Sequence, residues 1–391
     1  MKIGVVSEFY YPLWGGVSEH IRAVGNALKE RGHDVTVITS HMRGESNNLG
    51  PRVLRLGRSV PVRYNNSLSR FSLGWRLGGE MKALLEEEDF DVLHLHSPLQ
   101  PTLTHLALRH ARCPVVATFH SYYPRDMLVE AFQLPLRRLL RKVDIRVPVS
   151  AAALRPVERL FPGDYRIIPN GVDYDLFASA DSLTLPGLEP GKLRILFVGA
   201  MVKRKGLPHL LEAFAQIGAE RDDVELLVVG DGPGRRRVER SLSRKVRDRV
   251  HFLGPVTKRS KLAGYYASAD IFCAPSLGRE SFGMVLLEAM AAGLPVVGFD
   301  IEGYRDVVTH GRDGLLVQPG NARALGEALK YFIDSPESRR RYGERGRAKA
   351  RDLDWNAIAL RVEGVYRDVL GQPEALVDDK DSDEERLVVG V

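Results

Sequence analysis

The chain opens on a β-branched apolar run, "KIGVVSEF". A stretch with apolar residues every three or four positions follows, "VSEHIRAVGNALKERGH", and then a second short apolar run, "DVTVITS". The pattern predicts a strand, an amphipathic helix ending near Gly32 and a second strand, which make one β-α-β unit. The alternation continues through "DVLHLH", "PTLTHLALRHAR", "PVVATFH", a helical "RDMLVEAFQLPLRRLLRKV" and "DIRVPVS". Short apolar strands separated by amphipathic helices imply a parallel sheet covered on both faces. Turn formers without periodicity, "IIPNGVDYDLFASADSLTLPGLEPGK", interrupt the pattern, and it then restarts at "LRILFVGA". It runs on through "LPHLLEAFAQI", "VELLVVGDG", a basic helix "RRRVERSLSRKV", "VHFLGPV", "KLAGYYASA", "DIFCAPS" and "PVVGF". Past "GLLVQPGN" the periodicity is helical throughout.

These patterns predict an α/β protein of two Rossmann-like, doubly wound parallel-sheet domains facing across a cleft. Residues 1–178 form the first domain and 179–354 the second. A helix over about 355–372, with Trp355, Ile358, Val362 and Val365 on one stripe, crosses back onto the first. The length of 391 residues fits two cores. The stretch 373–391 holds seven acids against two bases and reads as a disordered tail, so residues 1–372 carry +11 of a chain whose net charge is +6. A basic body suits anionic ligands without choosing among them. No apolar run is long enough to span a bilayer, and "MKIGVVSEFYYP" turns too soon for a signal peptide. A cytoplasmic protein is expected, with Cys113 and Cys273 reduced.

The stretch "GRESFGMVLLEAMAAGLPVV" places one acid before an apolar helix and another inside it. The free N–H groups at Phe282 to Val285 and the positive helix end form an anion site. Glu280 at the mouth and Glu288 about two turns in can each accept two hydroxyl donors, from a sugar and from a ribose. The plain reading makes Glu280 a capping acid and Glu288 an exposed or Arg-paired residue.

"ESFGMVLLEAMAAGLPVV" resembles the Glu-x7-Glu motif of the retaining glycosyltransferases of family 4, which have the GT-B architecture. "GGVSEH", "ATFHS", "IPNGVD", "VKRKG" and "GLLVQPGN" resemble further segments of that family in the same order. "DVLHLHSP", "VVATFHSYYPR" and "KVDIRVPVS" are most similar to members that mannosylate phosphatidylinositol. The resemblance implies that Gly15 and Gly16 let the backbone approach a donor diphosphate, and that Arg204 and Lys205 neutralise it as it leaves. His120 and Glu280 would contact the transferred sugar as catalytic residues. Ser281, Phe282, Gly283, Met284 and Val285 would line sugar or phosphate, and Glu288 would hold the ribose. It implies a nucleoside-diphosphate sugar, GDP-mannose or a UDP-sugar, as co-substrate, with no further cofactor and no metal. Where many members carry Arg after "LFVG", this chain has Ala200, so Arg204 takes on that contact or the contact is lost.

Rival functions are poorly served. The G-x-G-x-x-G of a dehydrogenase is absent after the first strand, and "GRESFGM" lacks the Gly-Lys-Ser/Thr of a P-loop. His94, His96, His105, His110 and His120 suggest zinc, but no acid or cysteine stands at ligand spacing. "GRRRVERSLSRKVRDR" has no interleaved aromatics, so nucleic acid is not an expected partner. The acceptor is expected to be a hydroxyl, with a membrane lipid such as phosphatidylinositol one candidate. Residues 67–88 would form an amphipathic surface helix turning Phe71, Trp75 and Leu77 to an anionic membrane, beside Arg70, Arg76 and Lys82. The alternative, prompted by Ala200, is a non-catalytic sugar-nucleotide-binding protein.

Overall fold

A computed structural model describes residues 1–42, 50–64, 67–121, 132–185 and 187–372. The first lobe is built on β1 (Lys2–Val6), β2 (Asp34–His41), β3 (Arg52–Tyr64), β4 (Ser67–Leu73), β5 (Val92–His96), β6 (Val115–Phe119) and β7 (Ile145–Pro148), in the order β4-β3-β2-β1-β5-β6-β7. The second holds β8 (Leu193–Val198), β9 (Val224–Val229), β10 (Val250–Gly254), β11 (Ile271–Ala274), β12 (Val296–Phe299) and β13 (Gly314–Val317), in the order β10-β9-β8-β11-β12-β13. All neighbouring strands pair in parallel except β3 and β4, which are antiparallel. β5, β6, β9, β11 and β12 are buried along their whole length, which is why they read as unbroken apolar runs.

The strand order reverses between β1 and β5 in the first sheet and between β8 and β11 in the second. In open α/β sheets ligands gather outside the carboxyl ends of strands at such points. The glycine turn before α1 (Gly16–Glu30) follows β1, "KRKG" follows β8 and "LGRESFG" follows β11. These three of the segments singled out in the sequence therefore lie at the two reversals.

Two expectations need correction. Residues 67–88 are not one surface helix: 67–73 form β4 on β3, and the helix α2 spans only Leu77–Glu88. The thirteen-residue β3 offers an open edge that these residues fill, and Glu8 fixes the result. Its buried carboxylate accepts the Ser72 hydroxyl at 2.5 Å and the backbone N–H of Leu103, which opens α3 (Leu103–His110), at 2.6 Å. The basic run 235–246 is two short helices, Arg235–Ser241 and Arg244–Arg247, rather than one. Leu242 adopts extended backbone between them and buries its side chain in the second core. The helix expected over 125–143 is seen as Gln133–Leu140, its earlier part lying outside the described residues, as does the acidic tail.

The helix Trp355–Val369 returns to the first lobe. There Trp355, Ile358, Val362, Val365 and Tyr366 share a core with Ile21, Val24 and Leu28 of α1. Just before it, the chain runs beside the connection between the lobes: Val172 N–H donates to Leu353 O at 2.9 Å and Trp355 N–H to Val172 O at 3.1 Å. A Cβ on Gly171 would lie 2.7 Å from the Trp355 ring, so the two crossings pack as one unit. Across the lobes, Ala152 N–H donates to Asp306 at 3.1 Å, and the Ser150 hydroxyl donates to Ser281 O.

Trp355→Ala empties the contact between the two crossings, and a loss of about 3–5 kcal/mol is expected, measured as a fall in Tm. Leu360→Ala on the exposed side of the same helix should change stability by less than about 0.5 kcal/mol.

Candidate active site

The turn after β8 is constrained by packing. Gly206 closes "KRKG" with φ 71°, and a Cβ there would lie 1.7 Å from the carbonyl oxygen of Pro275, at the end of β11. With no side chain in the way, this turn presses against the loop that carries Glu280. Leu277 N–H donates to Arg204 O at 2.8 Å and locks the two together. The Glu280 carboxylate then meets both cations, Arg204 at 2.5 Å and Lys205 Nζ at 2.9 Å. Sequence reasoning gave Glu280 to sugar hydroxyls and the two cations to a diphosphate. The structure joins all three.

The helix Met284–Ala291 starts from Gly283 at φ 100°, with no side chain capping it. Its first N–H groups therefore lack the usual side-chain acceptor, which suits an anion. A Cβ on Gly16 would lie 3.1 Å from Met284 Sδ, so the glycine turn of the first lobe faces the start of this helix across the cleft. One on Gly15 would meet nothing within 4 Å. Phe282 is buried, while Ser281, Met284 and Val285 are half-buried around the same mouth.

About one turn into this helix, Glu288 is buried. It accepts the Tyr266 hydroxyl at 2.9 Å and lies 3.6 Å from Arg259. Burial raises its carboxyl above the usual range, against the charge of Arg259 and the Tyr266 bond. The plain reading, an Arg-paired acid, thus describes part of its surroundings.

His120, at the end of β6, is one of four buried histidines. Its Nε2 and His96 Nδ1 are 2.7 Å apart, and its ring lies 4.8 Å from that of His20. His94 contacts the Thr118 and Tyr366 hydroxyls, each at 2.6 Å. His20 Nδ1 donates to Asn170 Oδ1 at 2.9 Å, within the "IPNGVD" segment, which leaves its buried Nε2 as an unpaired acceptor. Burial keeps all four neutral, with His20 pushed down to about 4, His94 to about 3, and His96 and His120 well below the ordinary range. Ligand nitrogens of His20, His96 and His120 lie within 4.8 Å of one another. The 2.7 Å contact is that of an N–H···N hydrogen bond, closer than two ligands of one ion sit. His105 and His110, the other members of the zinc reading, are not in this group; His105 bonds Pro98 O instead.

Sequence reasoning missed two site residues. Glu19, in the first turn of α1, accepts Arg22 at 2.7 Å and the Tyr11 hydroxyl at 2.7 Å. Arg259, from the second lobe, approaches it to 3.2 Å. The i, i+3 spacing of Glu19 and Arg22 was the one visible signal. In the first lobe an open pocket of about 850 Å³ is lined by Pro12, Leu13, His41, Arg58, Ser59 and Arg70.

Residues 14–176 match the family described as Glycosyltransferase Family 4, and residues 186–349 match Glycosyl transferases group 1. Phosphatidyl-myo-inositol mannosyltransferase of Mycobacterium leprae is 37% identical over 371 residues, covering 94% of this chain and 97% of that protein. Among solved structures, sucrose-phosphate synthase of Thermosynechococcus elongatus superposes with a TM-score of 0.74 at 25% identity, covering 95% of this chain and 99% of that one. Anabaena Alr3699/HepE in complex with UDP gives a TM-score of 0.74 at 18% identity over 94% of this chain and all of that one, a likeness of fold.

The neutral histidines make stability depend on pH. Their folded pKa values lie below the unfolded value, so between about pH 4 and 6.5 the unfolded chain binds more protons and stability falls as pH falls. Each contributes up to roughly 1.4 kcal/mol per pH unit in that window. Tm measured from pH 7 to 5.5 should drop, and less steeply in His94→Gln; equal slopes would show that the cluster does not titrate on unfolding.

Proposed function

The chain belongs to glycosyltransferase family 4, and we propose that it transfers mannose from a nucleoside-diphosphate sugar, GDP-mannose in the first instance, to a hydroxyl of a phosphatidylinositol-type lipid with retention of configuration. The observation that carries this reading is the cluster of Arg204, Lys205 and Glu280 at the strand-order reversal of the second sheet, beside an uncapped helix start and opposite Gly16. The length and identity of the match to the Mycobacterium leprae enzyme support the choice of sugar and acceptor.

In this reading the donor diphosphate takes the place of the Glu280 carboxylate against Arg204 and Lys205, and the helix N–H groups at Met284 and Val285 complete its cradle. The released Glu280 binds hydroxyls of the sugar, as do the backbone of Ser281, Phe282 and Gly283 and the His120 imidazole. Glu288 accepts the ribose diol. The bond from the anomeric carbon to the diphosphate oxygen breaks, and the acceptor oxygen bonds that carbon on the same face. The acceptor's proton passes to the departing diphosphate. Arg204 and Lys205 stabilise the charge that grows there, so the protein's own cations meet a need that a divalent ion serves elsewhere. The first-lobe pocket, with Arg58 and Arg70 on its wall, has the charge to receive a lipid phosphate. Trp75, fully exposed between β4 and α2, and exposed Leu73 would touch the bilayer surface. No helix among the described residues is long and apolar enough to cross a membrane, and in this reading the contact is peripheral.

Incubation with GDP-mannose and phosphatidylinositol vesicles should yield a mannosylated lipid with the anomeric configuration of the donor. Glu280→Ala and His120→Ala should each lower kcat/KM by roughly a hundredfold or more. Transfer from no nucleoside-diphosphate sugar, or full activity in both variants, would falsify the reading.

A further inference from the structure

Arg259 opens the helix Arg259–Ala267 of the second lobe and reaches an acid of each lobe. Its Nε lies 3.2 Å from Glu19 Oε1 on α1, and its Nη1 lies 3.6 Å from Glu288 Oε1. Its guanidinium also sits 5.3 Å above the Phe177 ring. The joint is unfinished. Nε and Nη2 are buried with no hydrogen-bond partner among the described residues, and 3.6 Å is too long for a hydrogen bond to Glu288. Buried guanidinium donors left unfilled are costly, so small movements that fill them are favoured. Glu19, by contrast, is firmly held: bonds from Arg22 and the charge of Arg259 outweigh burial and keep its carboxyl below the usual range. It stands in the first turn of α1, three residues after Gly16.

We propose that Arg259 is a positioning residue that couples nucleotide binding to closure of the lobes. It balances the buried charge of Glu288 while the acid awaits a ribose diol, and it completes its bond to Glu19 once that diol has taken over the Glu288 oxygens. The glycine turn beside Glu19 is thereby drawn over the diphosphate. This inference rests on the donor site described above, and it adds a tie between the lobes that the donor contacts do not require.

The test combines calorimetric titration of GDP and UDP with small-angle scattering, with and without the nucleotide that binds, on wild-type, Arg259→Gln, Arg259→Lys and Glu19→Gln proteins. Wild-type protein should compact on binding. Arg259→Gln should bind at least about tenfold more weakly and fail to compact at saturation, because the charge beside Glu288 and the tie are both lost. Glu19→Gln should bind within about threefold of wild type yet fail to compact, since only the tie is lost. Arg259→Lys should recover most of the affinity. Wild-type protein that binds without compacting, or Arg259→Gln and Glu19→Gln proteins that bind and compact like it, would overturn the coupling alone. Wild-type protein that binds neither nucleotide overturns the donor site and takes the coupling with it, a result visible without any variant.

Discussion

Two cations held at the carboxyl end of a parallel sheet need a counter-charge, and in this protein Glu280 supplies it between Arg204 and Lys205. The arrangement follows from packing. Gly206 lets the turn after β8 press on the end of β11, and the Leu277 N–H bond to Arg204 O ties the loop beyond β11 to that turn. The carboxylate is therefore delivered to the cations by the backbone. An anion that displaces it gains two charge-assisted contacts already in position and frees an acceptor beside it. In the proposed function such a site is preorganised, with the reorganisation limited to the exchange of one anion for another.

The second requirement is that two lobes meet across the cleft without fusing. The crossing at Val172 and the return at Asp354 run side by side, with Trp355 filling the space left by Gly171. The return helix belongs to the core of the first lobe, which places the junction on paired backbone. His20, bonded to Asn170 of that junction and stacked edge-on against Trp355, links it to the histidines that end in His120. Among the polar contacts across the cleft, Arg259 and Glu19 join residues that border the proposed donor site.

Much of this was legible in the sequence. Short apolar runs alternating with helical patterns separate two α/β units, and burial of the central strands explains why they stand out as unbroken apolar runs. The outer part of the first sheet was not legible. In "RVLRLGRSVPVRY" arginines recur at every third position from Arg52 to Arg58, out of step with a strand's period of two, and Gly57 and Pro61 interrupt the run. Only the partners β2 and β4 turn it into a strand. The charge pairs were hidden for a related reason. Glu280 and Lys205, or Glu19 and Arg259, lie far apart in the chain, and their meeting depends on how the turns pack and how the lobes sit. Sequence marks the residue types that chemistry needs, while the partner that holds each of them before a ligand arrives is a property of the fold.

The account turns on whether Glu280 occupies the place of the diphosphate. Titration of a bare nucleoside diphosphate, which carries no sugar for Glu280 to hold, into wild-type, Glu280→Gln and Lys205→Ala proteins separates the possibilities. The account predicts that Glu280→Gln binds it more tightly than wild type, by about threefold to tenfold, because the competing carboxylate is gone, and that Lys205→Ala binds it more weakly. Weaker binding by Glu280→Gln, matching that of Lys205→Ala, would contradict it and make the ion pair a scaffold for the turn.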